Sequence, residues 1–324
     1  MARQPSITDV GGIEVGHVTD AAAGTGCTVF LLGERGAPVG MDIRGSAAGT
    51  RGVEPARAFH VVDRHPAVLF AGGSSFGLAA TGGVMRWCEE RRRGFDVGVT
   101  FVPVIPTAIL FDLSFGSSVR RPDEAMGYAA CEAASSEPPA EGSVGAGTGA
   151  TVGKILGPER AMKGGFGTAC LVAPGGARVG AAVAVNALGD VRRWPGGEIL
   201  AGARAPQGGF LDTFARIVEG LGQPRFVPAN TTLALVATSA RFAREELIKI
   251  SQTAHDGLAR VITPCHTTVD GDVVFATSTG DNSLPLDAAC AMAQQAVADA
   301  VVRAVLAADG FGLLPAAGDF RSGP

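Results

Sequence analysis

Asn230, Thr231 and Thr232 stand directly before the apolar run 233–237, so hydroxyl-bearing residues mark the start of a predicted buried strand. If the chain cut itself between Asn230 and Thr231, Thr231 would carry a free α-amine beside its own hydroxyl. A threonine hydroxyl is a weak nucleophile, and an N-terminal amine on the same residue is one way to activate it. Such an amine has an unperturbed pKa of about 7.7–8, close to the value that suits a general base at neutral pH. The alternative is an ordinary turn before a strand.

Two carboxylates flank a glycine in the segment 266–272, directly before another predicted strand. Asp270 and Asp272 are close enough in sequence to hold one ammonium group, and the α-amine of Thr231 is the candidate. The alternative is an Asp-Gly turn with solvated carboxylates. His266 opens the same segment and is interpreted as a structural histidine with satisfied ring nitrogens.

Three further polar residues lie at a strand end or in glycine-rich loops. Asn186 follows the predicted strand 179–185, where its side-chain amide could donate to an oxyanion or could simply be a turn residue. Lys154 and Lys163 stand out in a lysine-poor chain, and a lysine near a threonine nucleophile could take part in proton transfer. For either lysine the alternative is a place on the surface.

The composition indicates a folded protein with a sizeable core. Of the 324 residues, 46% are hydrophobic and 18% are charged, and 47 are glycine. This balance argues against disorder and predicts closely packed strands joined by glycine turns. Because the net charge is −4 and the positive charges are scattered, no nucleic-acid partner is predicted.

The spacing of cysteines and histidines predicts neither disulfides nor a metal site, and no cofactor is expected. The six cysteines lie far apart without a CxxC pair, which is typical of reduced thiols in a cytoplasmic protein. The five histidines show no metal-ligand spacing. The N-terminal residues lack the apolar stretch of a signal peptide. The most apolar stretch, 288–308, contains Asp299 and Arg303, so it is interpreted as a buried helix and no membrane span is predicted.

Strands and helices alternate along the chain without a strong domain boundary. The predicted strands are 27–32, 39–43, 67–71, 97–105, 168–173, 179–185, 233–237 and 273–277. Pro103 interrupts the strand 97–105, which is therefore expected near a sheet edge or a bulge. The predicted helices are 78–93, 123–134, 208–221, 243–258 and 286–308, with an exposed connection at 222–229 and a loosely held tail at 311–324. The strands 168–173 and 179–185 should form a β-hairpin. Hairpins combined with strands that lead into helices favour one layered α+β sandwich over residues 1–324.

Together these segments resemble the self-processing L-aminopeptidase/D-esterase and β-peptidyl aminopeptidase family, which includes the nylon-oligomer hydrolases. The resemblance covers nearly the whole chain. The segments that carry it are ITDVGGIEVGH at 7–17, AGGSSFG at 71–77, ILFDL at 109–113, GAGTG at 145–149, KGGFGT at 163–168, VN at 185–186, NTT at 230–232 and HTTVDGD at 266–272. So many motifs in one order are specific for the family and much less specific for its substrates.

The resemblance implies a precursor that cuts itself between Asn230 and Thr231 into a larger subunit, 1–230, and a smaller subunit, 231–324. It implies a four-layer αββα sandwich of the N-terminal-nucleophile type, a fold related to that of the ornithine acetyltransferases. It also implies homo-oligomers, with a tetramer as the expected state.

By position in the family's motifs, Thr231 would be the nucleophile and its α-amine the base. Asp270 and Asp272 would orient that amine, and Asn186 would stabilise the oxyanion.

Details of the motifs favour the nylon-oligomer branch. The Asn-Thr-Thr and Asp-Gly-Asp patterns are similar to that branch, whereas many aminopeptidase members have serine as nucleophile. Lys154 matches the lysine of the branch better than Lys163 does. Phe111 stands where some members have an assisting tyrosine, so this chain lacks that hydroxyl.

The resemblance therefore implies an amidohydrolase or aminopeptidase that acts on small amides or short peptides through an acyl-enzyme on Thr231. β-Peptides and nylon-type oligoamides are among the candidate substrates. Two alternatives stay open. An acyltransferase of the ornithine acetyltransferase type would pass the acyl group to an amine, and a non-catalytic member would stay uncut and serve in binding or assembly.

Overall fold

The structure is a computed structural model, and it describes residues 3–57, 59–220 and 230–321. The strands are β1 (Glu14–Asp20), β2 (Thr25–Leu31), β3 (Val39–Ile43), β4 (Gly49–Arg51), β5 (Ala67–Ala71), β6 (Phe95–Asp96), β7 (Phe101–Val102), β8 (Thr107–Ile109), β9 (Thr151–Val152), β10 (Met162–Lys163), β11 (Gly165–Val172), β12 (Arg178–Asn186), β13 (Asp190–Arg192), β14 (Ile199–Ala201), β15 (Thr231–Ala240), β16 (Ile262–Thr263) and β17 (Val273–Asn282). The helices are α1 (Ala80–Glu90), α2 (Glu124–Glu132), α3 (Thr213–Val218), α4 (Arg244–Val261), α5 (Leu286–Leu306) and α6 (Ala317–Arg321).

Two five-stranded sheets form the middle of the molecule. The first sheet has the strand order β1-β2-β5-β8-β4, and the second has the order β11-β12-β15-β17-β3. In the second sheet β15 and β17 run parallel, with Leu233 opposite Val273. On its other side β15 runs antiparallel to β12, with Thr231 opposite Asn186. The start of β15, the start of β17 and the end of β12 therefore lie at one edge of this sheet.

Three buried apolar clusters show how the layers stack. One lies between the first sheet and helices α1 and α2, one lies between the two sheets, and one lies between the second sheet and helices α4 and α5. Successive residues of β15 alternate between two of these clusters, because side chains of a strand point to opposite faces. Leu233 and Leu235 face the other sheet, whereas Ala234 and Val236 face the helices. This stacking confirms the four-layer αββα sandwich.

Helix α5 is the core helix predicted from the apolar stretch 288–308. Within the described residues it is the one helix that could cross a membrane by its length and composition. Ala293, Val297 and Val301 on α5 are fully buried in the cluster that joins the helices to the second sheet. The apolar sequence of α5 is therefore explained by packing inside the sandwich.

The predicted strand 97–105 is wrong in the structure. The chain folds into a small hairpin of β6 and β7, closed by a hydrogen bond from the Val97 N–H to the Thr100 carbonyl at 3.1 Å. Pro103 follows directly after β7, where it cannot donate to a strand partner. The proline therefore ends the strand that the apolar residues had indicated.

Two other segments near the chain's C-terminal half differ from prediction. The predicted helix 208–221 is shortened to α3, because Gly208 and Gly209 have φ values of +98° and +72° and Asp212 caps the helix through the Ala215 N–H. Leu221 and the connection 222–229 lie outside the described residues. The tail was expected to be loose, but its described part forms α6 with Ala317 buried.

All six cysteines carry free thiols, as predicted. Cys27, Cys88, Cys131 and Cys290 are buried, whereas Cys170 and Cys265 are half-buried. Burial raises the pKa of Cys27 to about 12, so this thiol is uncharged at neutral pH.

Candidate active site

The predicted site residues meet at the edge of the second sheet where β12 ends and where β15 and β17 begin. Thr231 is the first residue of β15, and its ladder partner Asn186 is the last residue of β12. Asn230 forms an isolated parallel bridge with Asp270, and Asp272 directly precedes β17. The sheet topology thus brings together residues that are far apart in the sequence.

The peptide bond between Asn230 and Thr231 is buried, and two donors reach its carbonyl oxygen. Thr231 Oγ1 lies 2.5 Å from the Asn230 oxygen, and the Gly271 N–H donates to the same oxygen at 2.9 Å. Thr231 is 3% exposed and Asn230 is 4% exposed. A Cβ at Gly271 would lie 2.7 Å from Thr231 Oγ1, so the close approach requires glycine. A hydroxyl, a carbonyl and a main-chain donor are thus assembled around one peptide bond.

Asp272 holds the main chain next to this bond. Its Oδ1 accepts the Thr232 N–H at 2.7 Å, while its Oδ2 accepts the His266 N–H at 3.0 Å and lies 2.7 Å from His266 Nδ1. The carboxylate is buried, and the hydrogen bonds on both of its oxygens fix its orientation. Its Oδ1 faces the start of β15, where a free amine on Thr231 would emerge.

Asp270 is the second buried carboxyl group of the segment. It accepts hydrogen bonds from the main chain and the hydroxyl of Thr267, and from the Leu188 N–H at 3.3 Å. Burial, followed by the negative charge of Asp272, raises the pKa of Asp270 to about 6. The alternative of a solvated turn is wrong for both Asp270 and Asp272, because neither side chain reaches solvent.

Asn186 and Lys154 contact each other directly. Asn186 Oδ1 accepts from Lys154 Nζ at 2.8 Å and from the Thr151 N–H at 3.0 Å, and its Nδ2 donates to the Phe111 carbonyl at 3.0 Å. Lys154 Nζ also donates to the Asn186 carbonyl at 3.0 Å. Removal from water lowers the pKa of Lys154 to about 7, while the charge of Asp270 opposes this shift. The lysine keeps some solvent access, and at neutral pH a large fraction of it carries no charge.

Lys163 occupies a different place from Lys154. It is fully buried, its Nζ donates to the carbonyls of Thr148 at 2.7 Å and Ala150 at 2.8 Å, and it lies 4.6 Å from the centroid of the Phe115 ring. Burial lowers the pKa of Lys163 to about 7. A surface position is therefore wrong for Lys163. Lys154 is the lysine that contacts the predicted oxyanion residue.

Sequence reasoning did not single out Asp112 as a buried carboxyl group of this region. Asp112 is buried and accepts from Thr25 Oγ1 at 2.7 Å and from the Gly73 N–H at 2.7 Å. Burial raises the pKa of Asp112 to about 6, and the charge of Lys163 opposes that shift. The signal was present in the sequence, because Asp112 is a lone carboxylate in the apolar run 109–113.

Asn186 and His266 are both removed from solvent to different degrees. Asn186 is fully buried as the last residue of β12. His266 contacts Asp272 through Nδ1, but its Nε2 finds no partner in the part of the chain that the structure describes. Among the described residues, no group of three His, Cys, Asp or Glu side chains is arranged to hold a metal ion.

The fold and the comparisons with known proteins define a hydrolase of peptide or amide bonds. The model of peptidase family S58 matches residues 5–313, and the chain belongs to this family. An uncharacterised aminopeptidase of Mycobacterium tuberculosis strain H37Rv is 41% identical over 330 residues, which cover 93% of this chain and 92% of the relative. A 6-aminohexanoate-oligomer endohydrolase of Kocuria sp. strain KY2 is 30% identical over 284 residues, covering 86% and 76% of the two chains. The predicted family is confirmed.

Solved structures support the same fold. A β-aminopeptidase of Burkholderia sp. superposes with a TM-score of 0.68 at 23% identity, over 95% of this chain and 88% of that chain. The L-aminopeptidase D-Ala-esterase/amidase of Ochrobactrum anthropi, described as a variant of the Ntn hydrolase fold, gives a TM-score of 0.69 at 20% identity over the same shares. The αββα sandwich is therefore similar to this variant of the Ntn hydrolase fold.

Proposed function

We propose that this chain is an N-terminal threonine amidohydrolase that cuts itself between Asn230 and Thr231. The observation that carries the proposal is the buried arrangement around this bond. Thr231 Oγ1 and the Gly271 N–H both reach the Asn230 carbonyl oxygen, and Asp272 holds the next N–H along the chain. Cutting would divide residues 1–324 into a larger subunit, 1–230, and a smaller one, 231–324.

Self-cleavage would begin with attack of Thr231 Oγ1 on the carbonyl carbon of Asn230. The hydroxyl proton passes to a base, the bond between Asn230 carbon and Thr231 nitrogen breaks, and the nitrogen leaves as an amine after gaining a proton. The Gly271 N–H supports the oxyanion that forms in between. Water then hydrolyses the ester, which frees the Asn230 carboxyl group and restores the Thr231 hydroxyl.

Lys154 is the candidate base for the first step. A base needs an uncharged nitrogen near neutral pH, and the lowered pKa of Lys154, about 7, provides it. Lys154 Nζ contacts Asn186, the last residue of β12, and Asn186 lies opposite Thr231, the first residue of β15. The negative charge of Asp270 raises the pKa of Lys154, against the lowering by burial, so the charge of one group affects the protonation of the other.

After cutting, Thr231 would carry both nucleophile and base. Its α-amine takes the hydroxyl proton as Oγ1 attacks the substrate carbonyl, and the same proton then goes to the leaving amine. Asp270 and Asp272 would orient the amine, and the hydrogen bond from the neighbouring Thr232 N–H to Asp272 Oδ1 supports this role for Asp272. Asn186 is the candidate donor to the substrate oxyanion. Water releases the acyl group from Thr231.

The substrates that fit this chemistry are small linear amides or short peptides. The relatives support the class, because one is named as an aminopeptidase and another acts on 6-aminohexanoate oligomers. The Asn-Thr-Thr and Asp-Gly-Asp patterns agree with the second. The homotetramer and the cytoplasmic location stay predictions.

Intact mass measurement and N-terminal sequencing of the purified protein test this proposal. We expect two pieces, 1–230 and 231–324, with the smaller one starting Thr-Thr-Leu-Ala. Thr231→Ala is the matched control and should remain one chain, whereas Thr231→Ser should still cut. A wild-type chain that stays whole after prolonged incubation would overturn self-processing. Adding an amine acceptor to the cut enzyme separates hydrolysis from acyl transfer, because a transferase would give the new amide.

A further inference from the structure

Two groups of His266, its main-chain N–H and its ring Nδ1, contact the same oxygen of Asp272. Its main-chain N–H lies 3.0 Å from Asp272 Oδ2, and its ring Nδ1 lies 2.7 Å from the same oxygen. An ionised carboxylate only accepts hydrogen bonds, so the Nδ1–H of His266 is the donor in this contact. This double contact leaves Asp272 Oδ1 directed at the Thr232 N–H, 2.7 Å away.

Two features of His266 are energetically unfavourable, its backbone conformation and its buried Nε2. His266 has a φ of +57°, in the left-handed region that is unfavourable for residues with a side chain. Its Nε2 is buried without a hydrogen-bond partner among the described residues. A polar atom buried in this way is costly, and surrounding structure must compensate. Costs of this kind cluster at functional sites.

A second histidine holds the ring of His266 in place. His255, on α4, lies with its ring centroid 4.8 Å from that of His266 at an interplanar angle of 75°. His255 is buried, and its Nε2 lies 3.2 Å from the carbonyl oxygen of Asp42 in β3. The ring of His266 is therefore packed against a helix that is itself tied to the sheet.

We infer that His266 is a positioning residue for Asp272. The inference rests on the proposed function, in which Asp272 orients the α-amine of Thr231. By holding Oδ2 through both Nδ1 and the main chain, His266 prevents the carboxylate from rotating and keeps Oδ1 facing the start of β15. A misplaced carboxylate would leave the amine poorly oriented toward its own hydroxyl.

Two substitutions separate this role from a purely structural one. His266→Asn keeps a side-chain N–H donor near the place of Nδ1, and asparagine tolerates positive φ. His266→Gly relieves the strained backbone but removes the donor. Both variants keep the main-chain N–H, so their difference reports the side-chain contact with Asp272. Self-cleavage rate, kcat and Tm are measured for both and for wild type.

We expect His266→Asn to cut and turn over within about 3-fold of wild type. His266→Gly should be slower by roughly 10- to 100-fold in both reactions, at a temperature where all three proteins are folded. Equal rates for His266→Gly and wild type would overturn the inference, as would a His266→Asn variant that is as slow as His266→Gly. A wild-type chain that never cuts would count against the proposed function instead.

One measurement tests the contact without any activity. In the uncut Thr231→Ala variant, ¹⁵N chemical shifts of the histidine rings report which nitrogen carries the proton. We expect a proton on Nδ1 of His266, and substitution of Asp272→Asn should abolish the preference for that nitrogen. An Nε2–H form in the presence of Asp272 would overturn the inference, whether or not the wild-type chain cuts.

Discussion

The main-chain N–H of Gly271 lies 2.9 Å from the carbonyl oxygen of Asn230, in the bridge that joins the start of β15 to the segment before β17. The glycine sits between Asp270 and Asp272, so one short segment supplies two carboxylates and a main-chain donor. The donor contacts the peptide bond proposed to break, whereas the amide of Asn186 donates to the Phe111 carbonyl at 3.0 Å. In the proposed function, the Gly271 N–H supports the oxyanion of self-cleavage and the Asn186 amide supports the oxyanion of the substrate.

Gly271→Ala should slow self-cleavage by roughly 10²-fold or more, because the added methyl group forces the donor and the nucleophile apart. A Cβ at this position would lie 2.7 Å from Thr231 Oγ1 and 2.7 Å from the Ala47 carbonyl oxygen. Overpacking of this kind costs about 1–3 kcal/mol of folding free energy, so Tm should also fall. The fraction of cut chain over time, followed by mass, gives the rate.

Gly175→Ala is the matched control for this change. Gly175 lies between β11 and β12, and a Cβ there meets nothing within 4 Å. It should cut at the wild-type rate with an unchanged Tm. If Gly271→Ala also cuts at the wild-type rate, the close approach of Gly271 to Thr231 Oγ1 is not needed for self-cleavage.

Asn186→Ala should separate the two reactions. We expect the precursor still to cut, because Gly271 provides the donor on the Asn230 carbonyl and the main-chain carbonyl of residue 186 still accepts from Lys154 Nζ. The cut enzyme should lose about 10²–10³ in kcat, because the substrate oxyanion loses its side-chain donor. Mass analysis follows the first reaction and amide hydrolysis follows the second. A change in KM alone would argue against the oxyanion role, and loss of cutting at an unchanged Tm would assign Asn186 to both reactions.

Lys154→Arg should fail to replace the lysine although it keeps the positive charge. Arginine stays protonated at all relevant pH values, whereas the pKa of Lys154 is lowered to about 7 by removal from water. If Lys154 accepts a proton, the variant should cut roughly 10²- to 10⁴-fold more slowly. Lys249→Arg, at an exposed position on α4, is the control and should change nothing. A Lys154→Arg protein with the wild-type cutting rate would show that only charge is needed.

Much of the fold could be predicted from local patterns. The apolar run after Thr231 lies in β15, and the hairpin around Gly175 is formed by β11 and β12 of the same sheet. Residues 288–308 lie mainly in helix α5, which packs on that sheet. These segments are long, and their apolar residues leave few alternatives. The segment 97–105 failed because Pro103 outweighs the apolar residues around it.

The site could be predicted only in part, because its contacts depend on strand register. That Thr231 lies opposite Asn186 follows from pairing of β12 with β15, and a shift of β15 by one residue would move the Thr231 side chain to the other face of the sheet. No local pattern contains that information. The contact between His266 Nδ1 and Asp272 Oδ2 was missed for a similar reason, because it requires the positive φ of His266.

The burial of Lys163 should be visible as a pH dependence of stability. Burial lowers the pKa of Lys163 from 10.5 to about 7 in the folded state. Between these values the unfolded chain binds a proton that the folded chain has lost, so the free energy of unfolding rises with pH in this window. We expect wild type to gain up to about 1.4 kcal/mol per pH unit relative to Lys163→Met between roughly pH 7 and 9.

Urea unfolding at pH 7, 8 and 9 measures this difference, with both proteins in the Thr231→Ala background so that neither chain cuts. Lys249→Met is the control, and because Lys249 is exposed, its difference from the parent should stay constant with pH. The loss of the hydrogen bonds that Lys163 donates to the Thr148 and Ala150 carbonyls shifts the Lys163→Met curve by a constant amount. The slope alone therefore decides, and parallel curves for wild type and Lys163→Met would mean that the buried lysine keeps its proton in the folded protein.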